Sequence, residues 1–139
     1  MFALALGCAV SAADGREEYV LVTPVSSRIE SVDPIEVRKL FLGLPVARNG
    51  RIIRAIRHTD GGRMDEVFLQ NVTAMSERAY DHRLLTLGMQ QGRLRPLEVK
   101  SREELLKALR DFPHSIAFAR RSDVGNIDSL RILRVIWKN

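Results

Sequence analysis

Arg51-Ile52-Ile53-Arg54-Ala55-Ile56-Arg57-His58-Thr59-Asp60-Gly61-Gly62-Arg63-Met64-Asp65-Glu66-Val67-Phe68 is the segment that decides the fold class. Its first part, Ile52 to Ile56, alternates arginine with apolar residues and reads as a short strand. The two glycines break that pattern. Met64, Val67, Phe68 and Val72 follow at helical spacing, with Asp60 placed as the cap. A strand, a tight turn and a helix start in direct succession point to layered α/β structure. A helix start also carries partial positive charge and unpaired N–H groups, so this corner is suited to receive an anion.

Upstream, Tyr19-Val20-Leu21-Val22-Thr23 is a β-branched run ending at Pro24, and reads as a buried strand. Val25 to Arg28 is a loop. A helix then starts with Asp33 as N-cap, Pro34 at the first position and Glu36 completing a capping box. It buries Ile35, Val37, Leu40 and Phe41 and stops at Gly43. Pro45 to Gly50 is a turn. Downstream of the opening segment, Ser76 caps a helix carrying Tyr80, Leu84 and Leu87 at helical spacing. Gly88 to Pro96 is an irregular, basic loop. Ser101 and Glu104 open another helix, with Leu105, Leu106 and Leu109 inside and Phe112-Pro113 at its end. Ser115–Ala119 and Leu130–Ile136 are two further strands, joined by a turn at 123–126. Alternating strands and helices give an α/β domain without internal repeat or linker.

The 139 residues fit one domain that buries its core without disulfides, and the apolar (45%) and charged (28%) shares are those of a soluble globular protein. Net charge is +5 and the pI about 10.0. Arginine suits bidentate contact with carboxylate and phosphate, which admits anionic partners. The cations are scattered rather than blocked, and only 6% of residues are aromatic, so stacking platforms for nucleic acid are lacking.

Met1 to Val10 is uncharged and apolar, and small residues Ser11-Ala12-Ala13 follow. This is the apolar core and cleavage site of an export signal spanning 1–13, without a basic leading region, and it is too short to span a bilayer. Export places the mature chain in the periplasm. Leu6-Gly7-Cys8 gives a lesser alternative, lipoprotein anchoring, with its leucine displaced by one position. Cys8 is the single cysteine, so the mature chain has no disulfide, thiolate metal site or thiol nucleophile.

Several segments together resemble the periplasmic substrate-binding protein superfamily, in its phosphate-binding branch. Ser31 to Gly43, with Leu40-Phe41-Leu42-Gly43 at its end, looks like that family's first helix. Arg57 to Phe68 sits where the family has a polar turn opening a helix that ends in Phe. Ala79-Tyr80, Arg83-Leu84-Leu85 and Gly92-Arg93-Leu94-Arg95-Pro96 resemble the helix and loop that follow. Ser115 to Ala119 and Arg131 to Val135 resemble later strands. The likeness covers about residues 18–137. It implies a periplasmic-binding-protein-like (type 2) single lobe, a small mixed sheet flanked by helices. Full-length members have two lobes and hold ligand between them, so this chain corresponds to an abbreviated member.

The resemblance also implies an anion site: Ser26 and Ser27 after the first strand, opposed to Thr59, Asp60, Gly61, Gly62 and Arg63. Where phosphate binders carry Ser-Gly-Thr at the helix start, this chain reads Gly62-Arg63-Met64. Two hydroxyls are gone and a cation has entered. The same residue types also make turns and caps with no ligand, so at this point both readings stand.

No other chemistry is legible. His58, His82 and His114 lack metal-ligand spacing. His58 borders the candidate cleft, either as an aid to anion binding or as a turn residue. No Gly-x-Ser-x-Gly elbow, P-loop or dinucleotide fingerprint occurs. The sequence therefore implies no enzyme, cofactor, catalytic residue or metal. It implies an exported module for phosphate or a similar oxyanion, working with a membrane transporter or another envelope protein. The alternative is an interaction or scaffold domain that kept the fold, docks on a partner protein and binds no ligand. A homodimer that rebuilds a two-walled cleft is a further partner expectation; nucleic acid is not one.

Overall fold

The structure, a computed structural model, describes residues 17–87 and 94–139. The export signal over 1–13, with Cys8, lies outside the described residues, as does most of the Gly88 to Pro96 loop.

Strands β1 (Glu18–Pro24), β4 (Arg54–His58), β5 (Leu97–Val99), β6 (Ser115–Arg120) and β7 (Leu130–Lys138) form one five-stranded sheet of order β5-β4-β6-β1-β7. β4 runs parallel to β5 and to β6, whereas β1 is antiparallel to both β6 and β7. A two-stranded hairpin, β2 (Ala47–Arg48) and β3 (Arg51–Ile52), stands apart. The helices are α1 (Pro34–Phe41), α2 (Arg63–Phe68), α3 (Glu77–Leu87), α4 (Arg102–Asp111) and the single turn α5 (Arg121–Val124), with a π-helical turn at Leu69–Thr73.

Side-chain alternation along the strands builds two cores, one on each face of the sheet. Tyr19, Leu21, Ile53, Ala55, Ile116 and Phe118 pack under α1, α2 and α3. Val20, Val22, Ile56, Ala117 and Ala119 pack under α4 and α5. The result is a mixed sheet flanked by helices on both sides, with strands buried on both faces.

α1 carries the expected capping box: Glu36 N donates to Asp33 Oδ1 at 2.8 Å, and Asp33 N donates to Glu36 Oε1 at 3.2 Å. Ile35, expected inside, is 69% exposed, because Val37, Leu40 and Phe41 define the buried stripe and Ile35 falls outside it. The expected Ile52–Ile56 strand is divided. Asn49 and Gly50 both take positive φ and close the β2–β3 hairpin, so Ile52 belongs to β3 and β4 begins afresh at Arg54. Leu106 is only half-buried, since Ala108 takes the inward position beside Leu105 and Leu109. The turn at 123–126 begins inside the helical turn α5, which ends at Val124.

Candidate functional site

β4 and β5 end side by side, with His58 opposite Val99 and Thr59 N donating to Val99 O at 2.9 Å. Crevices at the carboxyl ends of parallel strands are where open α/β sheets receive ligands. The segment after β4 lies in such a place. A cleft of about 440 Å³ opens there, lined by Arg57, Thr59, Asp60, Gly61 and Asp65 and by residues of α3 and β5.

Asp60 is not the helix cap expected of it. The N-cap of α2 is Gly62, and no side chain caps it. Asp60 instead folds its carboxylate back on the turn, where Oδ1 accepts from Gly62 N at 2.7 Å. Asp65, one turn into the helix, reaches back in turn. Its Oδ1 accepts from Asp60 N at 3.3 Å and its Oδ2 from Gly61 N at 3.0 Å. The N–H groups of residues 60, 61 and 62 are therefore already bonded to the chain's own carboxylates. Gly61 takes φ +75, a conformation that glycine adopts without strain.

Ser26 and Ser27 do not meet this turn. β1 is antiparallel to β6 and β4 is parallel to it, so the end of β1 lies by Ser115 and Arg54, where β6 and β4 begin. The two serines stand at the opposite end of the sheet from Thr59 to Arg63. Ser27 is buried and occupied: its Oγ lies 2.8 Å from Thr23 Oγ1 and accepts from Ile29 N at 3.1 Å. Ser26 borders a separate apolar groove with Val25, Leu106 and Leu109. The opposed arrangement expected from the resemblance is thus corrected by topology. Arg63 is also turned elsewhere, its guanidinium carbon standing 5.4 Å from the Trp137 ring centroid. Among the expected site residues, Thr59, Asp60 and Gly61 line the cleft and Gly62 adjoins it.

Arg57 is the cation the sequence reading did not single out. It is only 7% exposed, and its guanidinium lies 4.2 Å from the Phe68 ring centroid and 5.4 Å from that of Tyr80. Its nearest carboxylate is Asp65, at 3.7 Å from a terminal nitrogen, beyond hydrogen-bond range. Nε has no partner among the described residues. Nε is itself shut off from solvent, so it is the guanidinium as a whole, lining the cleft with no carboxylate within hydrogen-bond range, that can meet an anion there. Strand period alone could have found it, because Arg57 shares a face with Ile53 and Ala55 and must point under α2 and α3.

His58 takes the other face and is buried, with Nδ1 3.8 Å from Asp123 Oδ2 and no hydrogen-bond partner. Burial pushes its pKa down, and Arg120 adds to that; Asp123 and Asp60 oppose them less strongly. Arg120 donates to Asp60 Oδ2 at 3.2 Å, tying the turn to β6. Tyr80 donates to Phe41 O at 2.7 Å, so its hydroxyl serves the core, and burial holds its pKa far above the ordinary range. Among the described residues no three His, Asp or Glu converge to hold a metal ion, and no helix is long and apolar enough to cross a membrane.

Three solved structures share this architecture. An ABC-type phosphate transport receptor from Vibrio cholerae superposes with a TM-score of 0.58 at 11% identity, over 85% of this chain and 46% of that one. A putative phosphate ABC transporter substrate-binding protein with bound phosphate, from Clostridium perfringens, gives 0.61 at 10% identity, over 93% and 51%. PstS from Borrelia burgdorferi gives 0.61 at 15%, over 86% and 47%. No protein-family model and no curated protein matches the chain. The fold is that of a periplasmic-binding-protein-like α/β lobe as found in phosphate ABC transporter substrate-binding proteins. The chain spans about half the length of these neighbours.

Proposed function

We propose that the protein is an exported, non-enzymatic binding module of the phosphate-binding-protein type, whose ligand is phosphate or a similar small oxyanion. The observation that carries this reading is Arg57, a buried guanidinium that lines the cleft at the end of β4 with its nearest carboxylate, Asp65, 3.7 Å away. Thr59, Asp60, Gly61 and Gly62 form the adjoining wall; Ser26, Ser27 and Arg63 take no part. The likeness to a phosphate-bound substrate-binding protein supports the ligand class and a membrane transporter or other envelope protein as partner. Titration calorimetry with phosphate and sulfate tests it: heat and a thermal shift are expected, and neither at millimolar anion sinks it.

A second reading, a docking domain that binds no ligand, is favoured by Asp65. That carboxylate already holds the turn N–H groups an external oxyanion would use. It predicts a silent calorimetric trace for both anions together with binding to a protein partner in the envelope.

A further inference from the structure

The cleft beside Arg57 is not uniformly basic. The same cleft is lined by Glu77 and Asp81, four residues apart on one face of α3, and by Glu98, the β5 neighbour of Arg57 in the sheet. All three are exposed, and none has an ion-pair partner among the described residues. Lys100 is the other cation on the wall. An unaccompanied oxyanion entering this space would be drawn to Arg57 and repelled by the carboxylates that also line it. A molecule with both charges would satisfy both.

We infer that the cleft between Arg57 and the Glu77–Asp81 face of α3 binds a small zwitterion, an oxyanion bearing an amine a few atoms away. The inference rests on the oxyanion reading above and narrows its substrate class. The anionic end takes the Arg57 guanidinium where it lines the cleft, a side chain 9% exposed, held by the Phe68 face and without a hydrogen-bonded carboxylate. The ammonium end takes Glu77 and Asp81, which otherwise face each other as like charges. Specificity then comes from the repulsive carboxylates as much as from the arginine, since they weaken the binding of a bare anion.

Titration calorimetry on the purified protein with inorganic phosphate, O-phosphoethanolamine and ethanolamine tests this. Phosphoethanolamine is expected to bind about tenfold more tightly than phosphate, as two exposed ion pairs allow. The double substitution Glu77→Gln with Asp81→Asn should erase that advantage and leave phosphate binding equal or stronger. Because both carboxylates are exposed, thermal melting of the variant should match the parent within a few degrees. Equal affinities of phosphate and phosphoethanolamine for the parent protein overturn the inference while leaving the oxyanion reading intact. No heat from any of the three overturns both.

Discussion

Arg57 and Arg63 are six residues apart and chemically identical, yet only one of them can serve the cleft. Arg57 is buried under Phe68 and lines it, whereas Arg63 lies against Trp137. Arg57→Met keeps much of the side-chain volume among the aromatic rings and removes the charge, and thermal melting checks that the variant folds despite losing its contacts with Phe68, Tyr80 and Asp65. Calorimetry should register loss of oxyanion binding in Arg57→Met and none in Arg63→Ala. The reverse result would return the site to the helix start. His58 supplies a second prediction at this scale. Its folded pKa lies below the ordinary value because burial disfavours the charged form. The unfolded chain therefore binds the extra proton first, and stability falls as pH drops from above the unfolded value near 6.5 toward the lower folded one. Thermal melting between pH 8 and 5 should show that decline, and His58→Gln should flatten it. An unchanged slope in the variant would assign the decline to other groups.

Elements were legible wherever local chemistry decides them. Asp33-Pro34 with Glu36 gives α1 outright, and Ser101 gives α4, because caps act within one turn of chain. The hairpin carried the strongest short-range signal for such a turn, Asn49-Gly50, but its two-residue strands lie below any periodicity. β5 was missed for the same reason: three residues gain strand character only from pairing with β4. The site was less legible still. Locating Ser26 and Ser27 requires the direction of β1 against β6, and direction is a tertiary property. One glycine shows how far local and tertiary terms diverge. Gly43 takes φ +81 at the end of α1, and a Cβ there would press into Leu87 Cδ1; Gly50 takes φ +76 and faces open space. Gly50→Ala should therefore cost only the backbone term, about 1 kcal/mol. Gly43→Ala should cost about 2 kcal/mol or more, lowering Tm by about 8 °C. Equal losses would mean that Leu87 yields freely.

For the molecule as a whole, the openness of the cleft sets the affinity it can reach. The cleft has walls but opens to solvent, whereas enclosed pockets bury most of the ligand surface. A second copy could cover the mouth of the cleft, but the β7 edge of the sheet is poorly suited to self-pairing. β7 lies at the end of the sheet order and carries Arg131, Arg134 and Lys138. Cations along an edge strand act against edge-to-edge association, since antiparallel self-pairing brings them together. Light scattering should accordingly find a monomer at micromolar concentration, and Arg134→Val should favour a dimer at high protein concentration. With the cleft open to solvent, and with Asp65 already on the turn N–H groups, oxyanion binding should be weak, with Kd about 1 mM, or −4.1 kcal/mol. Sub-micromolar binding by a monomer would contradict this, because an open cleft could not supply it. A dimer with tight binding would instead place a covering surface in the partner copy.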